Sequence, residues 1–156
     1  MEQIWSVSTF LRKLKSQLRS GELSRAPLKL LRFQIQENKA ECDWIARPPD
    51  PWDDHIAATI RDQNQTLQAL RDALTMRQLL FRAIPDVQSA RFRVYRHSKE
   101  VVPEMIITGT VAREDEASPR VASLVMRAKL CGLHFSLHEG VLVPFQVERR
   151  ELQVSS

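Results

Sequence analysis

Pro51 to Pro85 reads PWDDHIAATIRDQNQTLQALRDALTMRQLLFRAIP, and the reading of this stretch decides the fold. Asp50 precedes it and can cap the first amides, while Pro51 suits the first helical position, where no N–H is needed. Asp53 and Asp54 put negative charge at the positive end of the helix dipole. Pro85 lacks a donor and restricts Ile84, so it stops the helix. The pattern therefore predicts one helix over 51–84, roughly 50 Å long at the helical rise. That exceeds the width of a domain of this size, so the helix is expected to kink or to reach a partner. Ile56, Ile60, Leu67, Leu70, Leu74, Phe81 and Ile84 recur by threes and fours, with Gln63 and Arg77 interrupting the seam. Such a seam either packs across a sheet or mediates self-association. In the second case Leu67, Leu70, Leu74, Arg77 and Phe81 are the partner-binding residues.

On the N-terminal side, Leu31, Phe33 and Ile35 alternate with Arg32, Gln34 and Gln36. Glu37-Asn38-Lys39 forms a turn in which Asn38 tolerates positive φ. Ala40, Cys42, Trp44 and Ala46 then share a face opposite Glu41 and Asp43, which completes a β-hairpin. Before the hairpin, Ile4, Val7, Leu11, Leu14 and Leu18 mark a basic amphipathic helix that ends near Gly21.

On the C-terminal side, Ala90, Phe92 and Val94 alternate with Arg91, Arg93, Tyr95 and His97. Met105, Ile107, Gly109 and Val111 mark a strand apolar on both faces, hence central in its sheet. Gly109 within it suggests a bulge or a close backbone approach. Ser118 and Pro119 are the expected start of a second helix, whose inner stripe is Val121, Leu124, Val125, Ala128 and Cys131 and which Gly132 closes. A strand over Leu133–Leu137 and a hairpin through His138-Glu139-Gly140 to Val141–Val143 follow.

The sum is an α+β chain: a two-layer sandwich with β-β-α-β-β-α-β-β order and a βαββαβ-like centre, preceded by an amphipathic helix. A split β-α-β sandwich with both helices on one face is the expected topology. The expected organisation is a basic helix over 1–20, an α+β domain over 28–146 and a flexible tail over 147–156. Trp44, Phe92, Ile107, Leu124 and Phe135 are the expected core.

The segment from Asp54 to about Leu142 resembles the BON domain. The elements that carry the resemblance are a helix, two strands with Ile107-Thr108-Gly109-Thr110-Val111, a charged loop, the helix Val121–Cys131 and a strand. The departures are an overlong first helix, a long Asp86–Val111 hairpin, and Cys131-Gly132-Leu133-His134-Phe135 in place of a valine-rich ending. The resemblance implies an αββαβ module with a membrane-surface or interaction role, and it transfers no functional residue.

The chain of 156 residues has a net charge of +4, unevenly placed. Residues 1–32 carry seven Lys/Arg against two Glu, and the remainder is slightly acidic. Arg12, Lys13, Lys15 and Arg19 are therefore candidate anion-binding residues toward anionic lipid or nucleic acid, joined by Arg91 and Arg93 on the strand that carries Tyr95. Cys42 and Cys131 form no CxxC pair and read as buried, reduced thiols of a cytoplasmic protein. His134 and His138 are roughly 13 Å apart on a strand, too far to share a metal ion. No phosphate-cradling glycine loop is present, and nothing selects a nucleophile and base. No cofactor is expected. The expected function is a non-catalytic interaction module that binds a protein partner or itself through the long helix and the sheet. The alternatives are binding of an anionic surface through the N-terminal segment, and an enzyme of unrecognised class.

Overall fold

The computed structural model describes residues 2–17, 28–48, 55–97, 102–113 and 123–145, and within the first helix the side chains of residues 8–14 and 16. The architecture is α+β. Helix α1 spans Glu2–Gln17, and strands β1 (Lys29–Gln36) and β2 (Lys39–Ile45) form a hairpin. Helix α2 (Ala58–Ala83) leads to β3 (Ser89–Arg96) and β4 (Glu104–Ala112), followed by α3 (Leu124–Leu130), β5 (Leu133–His134), β6 (Ser136–His138) and β7 (Val141–Val143).

The main sheet has the order β1-β2-β3-β4-β5, and every pairing is antiparallel except the parallel pair β2–β3. β2, α2 and β3 thus form a crossover unit between neighbouring strands. This corrects the expected split arrangement, in which another strand would separate the parallel pair. Local alternation marks which residues form a strand but not which strand lies beside it. β4 lies between β3 and β5, with apolar residues on both faces.

The expected helix start at Pro51 is also corrected. Residues 49–54 are outside the described set, but His55 to Ala57 are not helical, and Ala57 is the N-cap without any side-chain cap bond. The helix is 26 residues, or about 39 Å. Capping signals in Asp50–Asp54 compete with packing, and burial along α2 begins only at Thr66. Similarly, α3 starts at Ser123, whose hydroxyl accepts from the Met126 amide, and Ser123 itself is extended. A helix continuous from Ser118 is therefore excluded, while Ser118, Pro119 and Val121 lie outside the described residues. Arg127 and Lys129 do occupy its last turn.

Two strand details differ from simple alternation. A bulge between Leu30 and Arg32 puts Leu30 opposite Trp44 on the inner face and leaves Leu31 exposed. The run 133–138 breaks at Phe135, so β5 pairs with β4 whereas β6 joins β7 in a separate hairpin. In the first turn, positive φ falls on Glu37 rather than Asn38.

One hydrophobic cluster holds the fold. It takes Phe10 and Leu14 from α1, Leu70, Ala73, Met76 and Leu80 from α2, Ala128 from α3, and Trp44, Phe92, Val94 and Ile107 from the strands. Trp44 meets Phe92 edge-on at 5.1 Å, and Phe10 stacks on Phe33 at 4.8 Å. Of the expected core, Trp44, Phe92, Ile107 and Phe135 are buried and Leu124 is half-buried. All three helices therefore cover the same face of the main sheet. α1 belongs to this core rather than standing apart from it.

Candidate functional site

With the helices on one side, the alternate strand positions compose the other face of the sheet. The strand registers set out its rows. Arg32, Asp43, Arg93, Thr108 and His134 lie side by side across five strands. Gln34, Glu41, Arg91 and Thr110 form the next row, and Gln36, Lys39 and Ser89 the one beyond. On the opposite side of the first row are Lys29, Ile45, Tyr95 and Met105. None of these residues enters the hydrophobic cluster, not even the buried Ile45.

This face carries five cations, Lys29, Arg32, Lys39, Arg91 and Arg93, against the strand carboxylates of Glu41 and Asp43. Arg32 pairs with Glu41 at 3.2 Å and Arg93 with Asp43 at 3.5 Å. Arg91 is exposed and has no partner among the described residues. At the hairpin end of the face is a cavity of about 380 Å³, lined by Arg32, Gln34, Gln36, Glu37, Lys39 and Glu41.

The residues expected on a helix seam have different fates. Leu70 is fully buried, and Phe81 and Arg77 are nearly so, all against their own chain. Arg77 donates to the Ala112 and Arg113 carbonyls at 2.7 and 3.2 Å, which ends β4, and sits over the Phe81 ring. Arg113 covers the same ring and donates to the Phe81 and Ile84 carbonyls, satisfying the C-terminus of α2. Phe81 is thus clasped between two structural cations. Leu74 is half-buried against the core, whereas Leu67 and Ile60 remain exposed at 37% and 49%. Gln63 donates to the Glu139 carbonyl and so ties α2 to the β6–β7 hairpin.

Of the N-terminal cations, Arg12 is exposed and Lys13 half-exposed; the Lys15 side chain and Arg19 lie outside the described residues. The apolar stripe they accompany is in use, since Phe10 and Leu14 are buried in the core. The sheet face brings Arg91 and Arg93 together with Arg32 and Lys39, a grouping that strand-by-strand reading missed because it depends on the parallel β2–β3 register.

A second feature unread in the sequence is a buried ion pair. Arg47 Nε lies 2.7 Å from Asp72 Oδ2, with both side chains almost fully buried, and Gln68 donates to Asp72 Oδ1 at 2.9 Å. Burial pushes the Asp72 carboxyl above its ordinary value, while hydrogen bonds and charge from Arg47, then Gln68, oppose that rise. The pair fastens the end of β2 to α2. Cys42 and Cys131 are buried free thiols, and burial followed by the neighbouring Asp43 pushes the Cys42 thiol up, so it is held unreactive. Among the described residues no group of three or more His, Cys, Asp or Glu is placed to hold a metal ion, and no helix is long and apolar enough to cross a membrane.

No family model, curated protein or solved structure matches the chain.

Proposed function

We propose that this chain is a non-catalytic interaction module that binds an extended, anionic partner across the exposed face of its main sheet. The observation that carries this reading is the alternation of Arg91, Arg93 and Tyr95 on β3, flanked in register by Arg32 and Lys39 of the hairpin and backed by a single-sided core. A rigid sheet fixes the backbone positions that carry these cations, with Arg91 and Arg93 about 6.6 Å apart along β3, so little backbone ordering is needed on binding. Exposed charges at this density attract a polyanion in a salt-dependent way.

The test is a titration of the purified chain with dextran sulfate at rising salt, compared with Arg91→Gln/Arg93→Gln. Binding is expected to weaken with salt, and to fall at least about tenfold in the double variant, equivalent to about 1.4 kcal/mol. The variant should stay folded, as read by circular dichroism, with a thermal midpoint lowered only through Arg93→Gln, because Arg93 pairs with the buried Asp43 at 3.5 Å whereas Arg91 is exposed. No binding at low salt, or equal binding by the variant, overturns the reading.

A second reading, self-association through α2, has its own observation. Ile60 and Leu67 are exposed and stand seven residues apart, two helical turns on one side of the helix. If this stripe joins two copies, Ile60→Glu/Leu67→Glu converts a dimer into a folded monomer in a solution-mass measurement. A wild type that is monomeric at high micromolar concentration rejects it.

A further inference from the structure

We propose that the anionic partner is a single-stranded nucleic acid, and that the hairpin cavity receives one of its bases while Arg91 and Arg93 hold the adjoining phosphates. This inference rests on the reading of the exposed sheet face and assigns its ligand class. The cavity of about 380 Å³ lies within the range of about 300–1,000 Å³ typical of small-ligand sites. Its walls are alternate residues of two strands, so Gln34, Gln36, Lys39 and Glu41 project to one side of the sheet.

The wall chemistry is mixed. Two amides supply both donors and acceptors, Lys39 and Arg32 are donors, and Glu37 and Glu41 are acceptors. An acidic peptide would meet those two carboxylates as repulsion and would make little use of the amides. A lipid bilayer presents a surface that does not enter such a cavity. A nucleobase edge combines donors and acceptors, and amides and carboxylates are the groups that read adenine and cytosine edges. Arg32 is already committed, to Gln34 and Glu41, whereas Gln36 and Lys39 have no side-chain partner among the described residues.

The surroundings supply the backbone contacts. Glu41 at the cavity is in direct register with Arg91, so the backbone that carries this exposed arginine lies about 4.8 Å away on the next strand. Arg93 follows about 6.6 Å further along β3, and Tyr95 follows Arg93 on the same face. A strand leaving the cavity along β3 thus meets two cations and then an aromatic ring, the combination that single-stranded sites use for phosphate contact and stacking.

The experiment is fluorescence anisotropy with short labelled homopolymers of A, C and U, an abasic oligomer of equal length, and polyglutamate. The proteins are the wild type, Gln36→Leu and Arg91→Gln/Arg93→Gln. The wild type is expected to bind base-containing oligomers more tightly than the abasic one and to discriminate among bases. The cavity variant should lose that preference, by about tenfold for the favoured base, and bind the abasic oligomer like the wild type. The arginine variant should weaken on every oligomer. If polyglutamate binds as well as RNA, or the cavity variant retains the base preference, the nucleic-acid assignment falls and the face reading stands. If the arginine variant binds all probes like the wild type, both fall.

Discussion

Arg47 and Asp72 show what a single buried contact asks of the chain. Taking both charges out of water costs several kcal/mol each, and their attraction offsets this only with good geometry. The elevated Asp72 carboxyl indicates that burial outweighs the help from Arg47 and Gln68. Arg47→Met should therefore destabilise by about 3–5 kcal/mol, because it leaves a buried carboxylate with no cation. It should also add a pH dependence. With the cation gone, the carboxyl rises further in the folded state, so the native protein holds its proton more tightly than the unfolded chain. The unfolding free energy then falls as pH rises from the ordinary carboxylate range through the folded value. Arg47→Met/Asp72→Leu removes both charges and should recover most of the loss and abolish the added slope. Urea unfolding of the three proteins from acid to neutral pH measures both effects, and a flat profile for the single variant would show that Asp72 is not raised. Neither residue was legible as a pair, since 25 positions separate them and only the crossover brings them together.

At the scale of elements, periodicity located nearly every helix and strand, and tertiary packing then moved their ends. α2 lost its first turns because Asp50–Asp54 carry local capping signals without an apolar stripe to bury. The single strand expected over Leu133–Leu137 became parts of two, because β5 pairs with β4 for only two residues before the chain turns into the β6 hairpin. Gly109 was legible as a close approach. A Cβ there would meet the Gly132 carbonyl oxygen at 2.3 Å, in the place where β4 passes β5. Gly132 is constrained in return, with φ of 104°, and a Cβ there would meet the Thr110 oxygen at 2.3 Å. The two glycines let β5 reach the sheet edge. Gly109→Ala should cost about 1–3 kcal/mol through forced backbone displacement, read as a lowered urea midpoint. An unchanged midpoint would mean that β5 is not held against β4.

At the scale of the molecule, one side of the sheet is committed to the core, and the other is exposed or half-buried apart from Asp43 and Ile45. The sequence announced the first side through Trp44, Phe92 and Leu70, whose alternation and spacing mark burial. It did not announce the second, because the grouping of Arg32, Lys39, Arg91 and Arg93 on one face exists only once β2 lies parallel to β3. The N-terminal segment tests this division. Its cations suggested an anion-binding arm, yet Phe10 is fully buried and stacked on Phe33, which places α1 on the stability side. Phe10→Ala should then destabilise the whole domain by about 3–5 kcal/mol, as for other buried aromatics. Arg12→Gln/Lys13→Gln should leave the thermal midpoint within about 0.5 kcal/mol of the wild type, since neither side chain is buried. If α1 were instead an arm that folds only on a partner, Phe10→Ala would leave the midpoint unchanged and the cation variant alone would lose binding. Thermal unfolding and dextran sulfate titration of the same two variants separate these outcomes. Loss of stability in the first, with binding retained in the second, leaves the exposed sheet face as the surface that meets the anion.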